Sequence, residues 1–319
     1  MRSTETLIAL KPNPEQRLGL LKLAAQVGYQ LEDWNKTIQY AQDWLAAVGQ
    51  TKQKTPEAAS LYELKAFAEN NLGKSATAVA TMQIAFGIEA TKNRGDFILS
   101  CWQSMQKTAE ELRFLPVMIR QWPESVYWSR WGWLLYEENR QGEALNVLSA
   151  AEKTRKLDAR LVPLLIDLLY SKEAYHELLR VLRANPEALP QRSMAMLQAS
   201  ALIQTGRRTQ ALDVLNAFVR TSEAKHSDIA LAAQTAYAEE KWSRLRELAD
   251  RLVKIEDQNR EYWLILGGIA CFELKDYTAA HQVFSEVQSD KWKETRRLWL
   301  NQIQFLQPEI VHHGHHAQP

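Results

Sequence analysis

Apolar residues along this 319-residue chain recur at i, i+3, i+4 and i+7, and no convincing run alternates at every second position. That spacing gathers them on one stripe of an α-helix with polar residues opposite, so it predicts amphipathic helices and no strands. The stripes come in pairs separated by short turns. In the best-formed pair Trp128, Trp131, Gly132 and Leu135 share a face. After Asn139-Arg140-Gln141-Gly142, the residues Ala144, Leu148 and Ala151 form the stripe that answers it. Gly132 and Ala144 are small enough to let the two helices approach closely.

A small or aliphatic residue follows each predicted turn: Thr37, Ala78, Ala144, Leu178, Ala211, Leu245 and Ala280, at steps of 41, 66, 34, 33, 34 and 35 residues. The step of 66 is two periods of 33 and implies a degenerate unit anchored near Leu112. The step of 41 implies a longer connection around Gly49 to Pro56. About eight helix pairs result. A fixed period of this length means stacked units, each burying its apolar face on the next.

The pairs span residues 15–306, after a 1–14 leader that Pro12 and Pro14 close. Pro56, Pro123, Pro163, Pro186 and Pro190 fall at helix starts or unit junctions, where a missing amide proton costs least. Pro116 instead falls inside the second helix of the degenerate unit, near 92–123, and predicts a shortened or kinked helix with an irregular joint over Arg113 to Pro123. From 292 to 306 a last helix places Trp292, Trp299, Ile303 and Leu306 on one side, with Lys293, Glu294, Arg297 and Gln304 elsewhere. The end of a repeat array needs a polar outer surface, so this segment reads as a capping helix. Residues 307–319 read as a flexible, histidine-rich tail.

The pattern resembles the tetratricopeptide repeat, whose helix pair carries a bulky residue, a Leu-Gly pair, then Ala, a large apolar residue and Ala at fixed offsets. One unit matches through Leu264, Gly268, Asp276-Tyr277, Ala280 and Phe284. A second matches through Ala199, Leu202, Gly206, Ala211 and Leu215, and a third through Tyr62, Ala66, Gly73, Ala78, Met82 and Ala85. The resemblance covers about Pro14 to Leu306. Gly267 stands where Leu is expected, Lys65 takes a core offset, and Asp96 to Pro116 departs from the pattern. It implies an all-α fold, a right-handed α-solenoid of about eight hairpins with a C-terminal capping helix, and a concave groove that holds a protein or peptide partner. In that register the groove offset falls on Tyr29, Asn70, Tyr136, Tyr170, Ile203, Tyr237 and Phe272, with Trp133 also facing the groove. Five of those seven are aromatic, which would make a ladder of flat, rigid surfaces. Packing against the adjoining unit accounts for several of its members equally well. Gln121-Trp122-Pro123-Glu124 through Trp131, and Glu261-Tyr262-Trp263 with Arg296-Arg297-Leu298-Trp299-Leu300, further resemble bacterial tetratricopeptide proteins that accompany TonB-type envelope transport.

Charge narrows the partner. With 39 basic against 38 acidic residues, the two signs interleaved, the chain lacks the positive field a nucleic-acid reader needs. Cys101 and Cys271 lie 170 residues apart, five periods, which excludes an intrachain disulfide in a stacked array and makes Cys271 a small buried apolar residue. No stretch reaches the roughly 18 apolar residues of a spanning helix. The N terminus lacks a secretory pattern, so the expectation is a soluble, cytoplasmic chain, with the periplasm as the alternative for a processed one. Phosphate loops, nucleophile elbows and paired metal-binding histidines are missing from the motifs, and the chain reads as non-enzymatic, without a cofactor. His312, His313, His315 and His316 are weak metal candidates only, because a tail lacks fixed ligand geometry. The functional expectation is an adaptor. Its alternatives are self-association through the end helices or aromatic surface, and metal handling by the tail.

Overall fold

The structure is a computed structural model that describes Thr6 and residues 13–49, 53–255 and 258–309. Every regular element among them is helical, as the pattern predicts. Contacts divide the chain into two compact units, one ending at Leu161 and one beginning at Val162.

In the first unit the helices pair as α1 (Pro14–Gln30) with α2 (Trp34–Ala47), α3 (Pro56–Asn71) with α4 (Ser75–Ile88), α5 (Lys92–Ser104) with α6 (Thr108–Gln121), and α7 (Ser125–Glu137) with α8 (Gln141–Lys153). In the second unit α9 (Val162–Ser171) pairs with α10 (Tyr175–Ala184), α11 (Gln191–Gln204) with α12 (Arg208–Phe218), α13 (His226–Ala238) with α14 (Trp242–Ile255), and α15 (Arg260–Glu273) with α16 (Tyr277–Ser285). A last helix, α17 (Lys293–Leu306), packs on α16. Within each unit a hairpin packs on the hairpins next to it in sequence, and the core is a chain of linked clusters. Leu21, Trp44 and Leu61 join α1 to α3, Ala66, Met82 and Ile98 join α3 to α5, and Leu264, Phe284 and Ile303 join α15 to α17.

The first helix of every hairpin ends in the same turn. Glu32, Gly73, Gln106, Asn139, Glu173, Gly206, Glu240 and Lys275 all take φ of 54–75°. Around each, two amides reach back to the helix end at 2.8–3.1 Å, as in Asp33 N to Gly28 O and Glu32 N to Tyr29 O. These pairs satisfy carbonyls that a bare helix terminus would leave orphaned. Five residues beyond each such position lies the residue that sets the period, and Thr37, Ala78, Ala144, Leu178, Ala211, Leu245 and Ala280 are all fully buried. Close approach is steric as well: a Cβ on Gly132 would lie 2.3 Å from Leu148 Cδ2, and one on Gly268 would lie 2.7 Å from the Phe284 ring.

The degenerate unit forms a full hairpin, and its second helix is not shortened. α6 continues through Pro116 for 14 residues instead of stopping there. Leu115, Met118 and Ile119 are buried on either side of the proline, and their packing holds the helix against the roughly 3 kcal/mol that an interior proline costs. The period-setting residue is Glu111, not Leu112. Glu111 is buried and receives two bonds from the Arg130 guanidinium, at 3.0 and 3.1 Å. Its neighbour helix likewise buries Arg94 against Glu63 and Glu89. A buried charge at the position that the other hairpins fill with Thr, Ala or Leu hides this unit from an apolar pattern.

Candidate functional site

The groove offset lies three residues before each left-handed turn residue, on the last turn of a hairpin's first helix. What its side chain meets depends on the residue five positions on, which opens the second helix. Tyr29 meets Trp34 edge-on with centroids 5.6 Å apart, Tyr170 meets Tyr175 at 6.2 Å, Tyr237 meets Trp242 at 6.0 Å and Phe272 meets Tyr277 at 5.3 Å. Asn70 makes the polar version, accepting from Ser75 Oγ at 2.9 Å. One edge of the side chain therefore staples the turn, a partnership the spacing of the ladder did not disclose.

What remains of each ring separates the members. Tyr29 is half-buried and also packs on Phe67 of the next hairpin (6.1 Å), and Phe272 packs on Trp299 (5.0 Å), so for these two the packing alternative describes their surroundings. Ile203 and Asn70 are half-buried. Tyr170 and Tyr237 keep an exposed face beyond the staple. Tyr136 differs, because its staple position is Gln141; its ring lies instead beside Trp133, centroids 5.9 Å apart and planes 40° apart. On α7 the two are joined by Val126, and the stripe Val126, Trp133, Tyr136 is exposed by 58, 38 and 36%. The helix is held from its other side by Tyr127, Leu134 and Leu135, which are buried, and by the Tyr127 hydroxyl bonded to Asp96. Burial, then that carboxylate, pushes the Tyr127 phenol up to about 12, so the tie stays protonated at neutral pH. Sequence reasoning missed Val126, although its place one heptad before Trp133 puts it on the same face.

Clefts among the described residues include two that lie elsewhere. One of about 460 Å³ is lined by Trp242, Leu212, Leu274, Thr209, Asn216 and Arg244, beside the staple partner of Tyr237. The other, about 450 Å³, is lined by Leu18, Trp44, Val48 and Thr55 with Glu15 and Glu57. Neither is lined by a predicted ladder residue. Cys101 and Cys271 are free and buried, and burial pushes both thiols up, which keeps them inert. Among the described residues no three His, Cys, Asp or Glu side chains are placed to hold a metal ion, and no helix is long and apolar enough to cross a membrane. His312, His313, His315 and His316 lie outside the described residues, as does most of the leader.

No protein-family model and no curated protein matches this chain. Solved structures do match its fold. A structure of Naa15/Naa10 bound to HypK-THB is similar over 95% of this chain, at 10% identity and a TM-score of 0.45. The chain spans about half of that protein, 47% of its length. A tetratricopeptide repeat protein from Parabacteroides merdae is similar over 80% of this chain and 99% of its own, at 13% identity and a TM-score of 0.38. The C-terminal part of a tetratricopeptide repeat-containing protein from Cytophaga hutchinsonii is similar over 86% of this chain and 98% of its own, at 11% identity and a TM-score of 0.37. Identities of 10–13% leave function to this chain's own residues.

Proposed function

We propose that the chain is a non-enzymatic scaffold that holds a protein or peptide partner against exposed aromatic side chains, with Val126, Trp133 and Tyr136 on α7 as the principal anchor in the first unit and Tyr170 and Tyr237 as separate contacts in the second. Tyr29 and Phe272, largely committed to their neighbours, contribute at most an edge. The observation that carries this reading is the α7 stripe. Three large apolar side chains stand in water on a helix whose opposite face is locked into the core. Rigid aromatic rings of this kind bury much area on binding at little entropic cost, and Tyr keeps a hydroxyl for orientation. Nothing in the stripe offers a nucleophile, an acid–base pair or a metal ligand, which favours binding over catalysis. A bacterial envelope setting rests on the sequence resemblance alone.

The test compares the full chain with Trp133→Ala plus Tyr136→Ala, and with Tyr170→Ala plus Tyr237→Ala, as baits in quantitative affinity purification followed by titration of the recovered partner. Loss of one truncated anchor should weaken that partner by about tenfold or more, since buried aromatic anchors carry about 2 kcal/mol or more each. Equal affinity for the native chain and both folded variants would reject this surface.

A further inference from the structure

We propose that the outer flank of α17 is a self-docking surface through which two copies of this chain pair helix against helix. The repeat itself shows that this flank is unfinished. α17 stands where the first helix of a ninth hairpin would stand, with Trp299 stacked on Phe284 (5.7 Å, planes 6° apart) and Ile303 fully buried. One period of 33 residues separates Phe305 from Phe272 and Leu298 from Ile265. The earlier pair is covered: Ile265 is buried, and Phe272 lies between Tyr277 and Trp299. The later pair is bare, with Leu298 exposed by 64% and Phe305 by 84%. Leu306 is exposed beside them, although the sequence pattern puts it on the packing side.

The chain's usual way of covering such a flank is blocked. In every hairpin the residue three beyond the groove offset takes a positive φ and launches the second helix. Counting from Phe305, that position is Pro308, whose ring holds φ near −65° and cannot make the turn. Gln307 before it has already left the helical region, at φ −141° and ψ 82°. An amphipathic helix other than the second helix of a hairpin would cover the flank, and α17 of a second copy supplies one with a matching stripe. In an antiparallel pair Leu298 of each copy meets Phe305 of the other. Lys293 at the start of one helix then approaches Glu309 just past the end of the other, Glu294 between them is held by Arg297 of its own helix at 2.8 Å, and the helix dipoles oppose. Three side chains fall well short of the roughly 800 Å² per partner of a standard stable interface, so the pairing is reversible and depends on concentration.

Sedimentation equilibrium of the full chain, from low to high micromolar, tests this. The expected result is a monomer–dimer equilibrium whose dissociation constant rises at least about tenfold in Phe305→Glu and again in Leu298→Glu. The control Leu23→Glu, an exposed apolar site on α1, and the Trp133→Ala plus Tyr136→Ala variant should leave it unchanged. Circular dichroism of each variant establishes that it is folded. A chain that stays monomeric over the whole range overturns the proposal, and so does a dimer that both folded α17 variants leave intact or that the α1 control disrupts as strongly. Failure here leaves the α7 anchor standing, because that surface is read out by partner affinity.

Discussion

Glu111 shows how much one residue can conceal. At the position where seven hairpins place Thr, Ala or Leu, this one buries a carboxylate whose charge is held by Arg130, itself one-third exposed. The two partners are not equivalent. Removing the arginine strands a buried charge, which typically costs 3–5 kcal/mol, whereas removing the carboxylate leaves a guanidinium that can turn to water. Arg130→Met is therefore expected to destabilise the protein by about 3 kcal/mol, and Glu111→Ala, which restores the repeat's small residue, by less than about 1 kcal/mol. Urea unfolding of the two variants checks the order; equal losses would mean that Glu111 is not held by Arg130. The same residue explains why the third unit is illegible in sequence. A pattern of apolar positions cannot distinguish a buried, paired Glu from a solvated one, because the partner that decides it lies 19 residues away on the next hairpin.

Helices and turns were readable to different degrees. Helix starts follow from the 3.6-residue stripe and from signals such as Thr55 capping Pro56, so α3 opens at a proline placed at a helix start and α7 opens at Ser125, where the pattern starts a unit. The turn that repeats eight times is nearly invisible, since glycine marks it only at Gly73 and Gly206 and asparagine only at Asn139. Five hairpins hold Glu, Gln or Lys in a left-handed conformation, at about 1 kcal/mol each, because the hairpin's core fixes the turn regardless. Glu173→Gly and Glu240→Gly should accordingly each raise stability by about 0.5–1 kcal/mol, and Gly206→Ala should lower it by a similar amount. Thermal melts read the sign; a loss in either glycine variant would show that the Glu side chain contributes more than its backbone costs. The ladder was legible for a related reason and to a related limit. Sequence register picks out Tyr136, Tyr170 and Tyr237, but the five-residue staple that leaves Tyr136 beside Trp133 depends on what opens the following helix.

Across the whole chain the period of 34 between Ala144 and Leu178 runs on without a break, yet the contacts divide between Leu161 and Val162. Periodicity reports which residues face a core and is silent on how strongly one hairpin grips the next, so that division has no counterpart in the spacing. Within each unit, among the described residues, the main contacts of a hairpin are with its neighbours, which makes stability largely a sum of local terms and lets damage stay local. Phe284 is the place to test this. It is fully buried, it covers Gly268 and it stacks on Trp299, so Phe284→Ala should remove about 3–5 kcal/mol from the hairpin that holds α15 and α16. In a nearest-neighbour array that loss appears in hydrogen exchange as faster opening of α15, α16 and α17, smaller changes through α13 and α14, and unchanged protection in α1 through α6. In a single cooperative core every helix would accelerate together, and finding that would refute the division into locally stabilised hairpins.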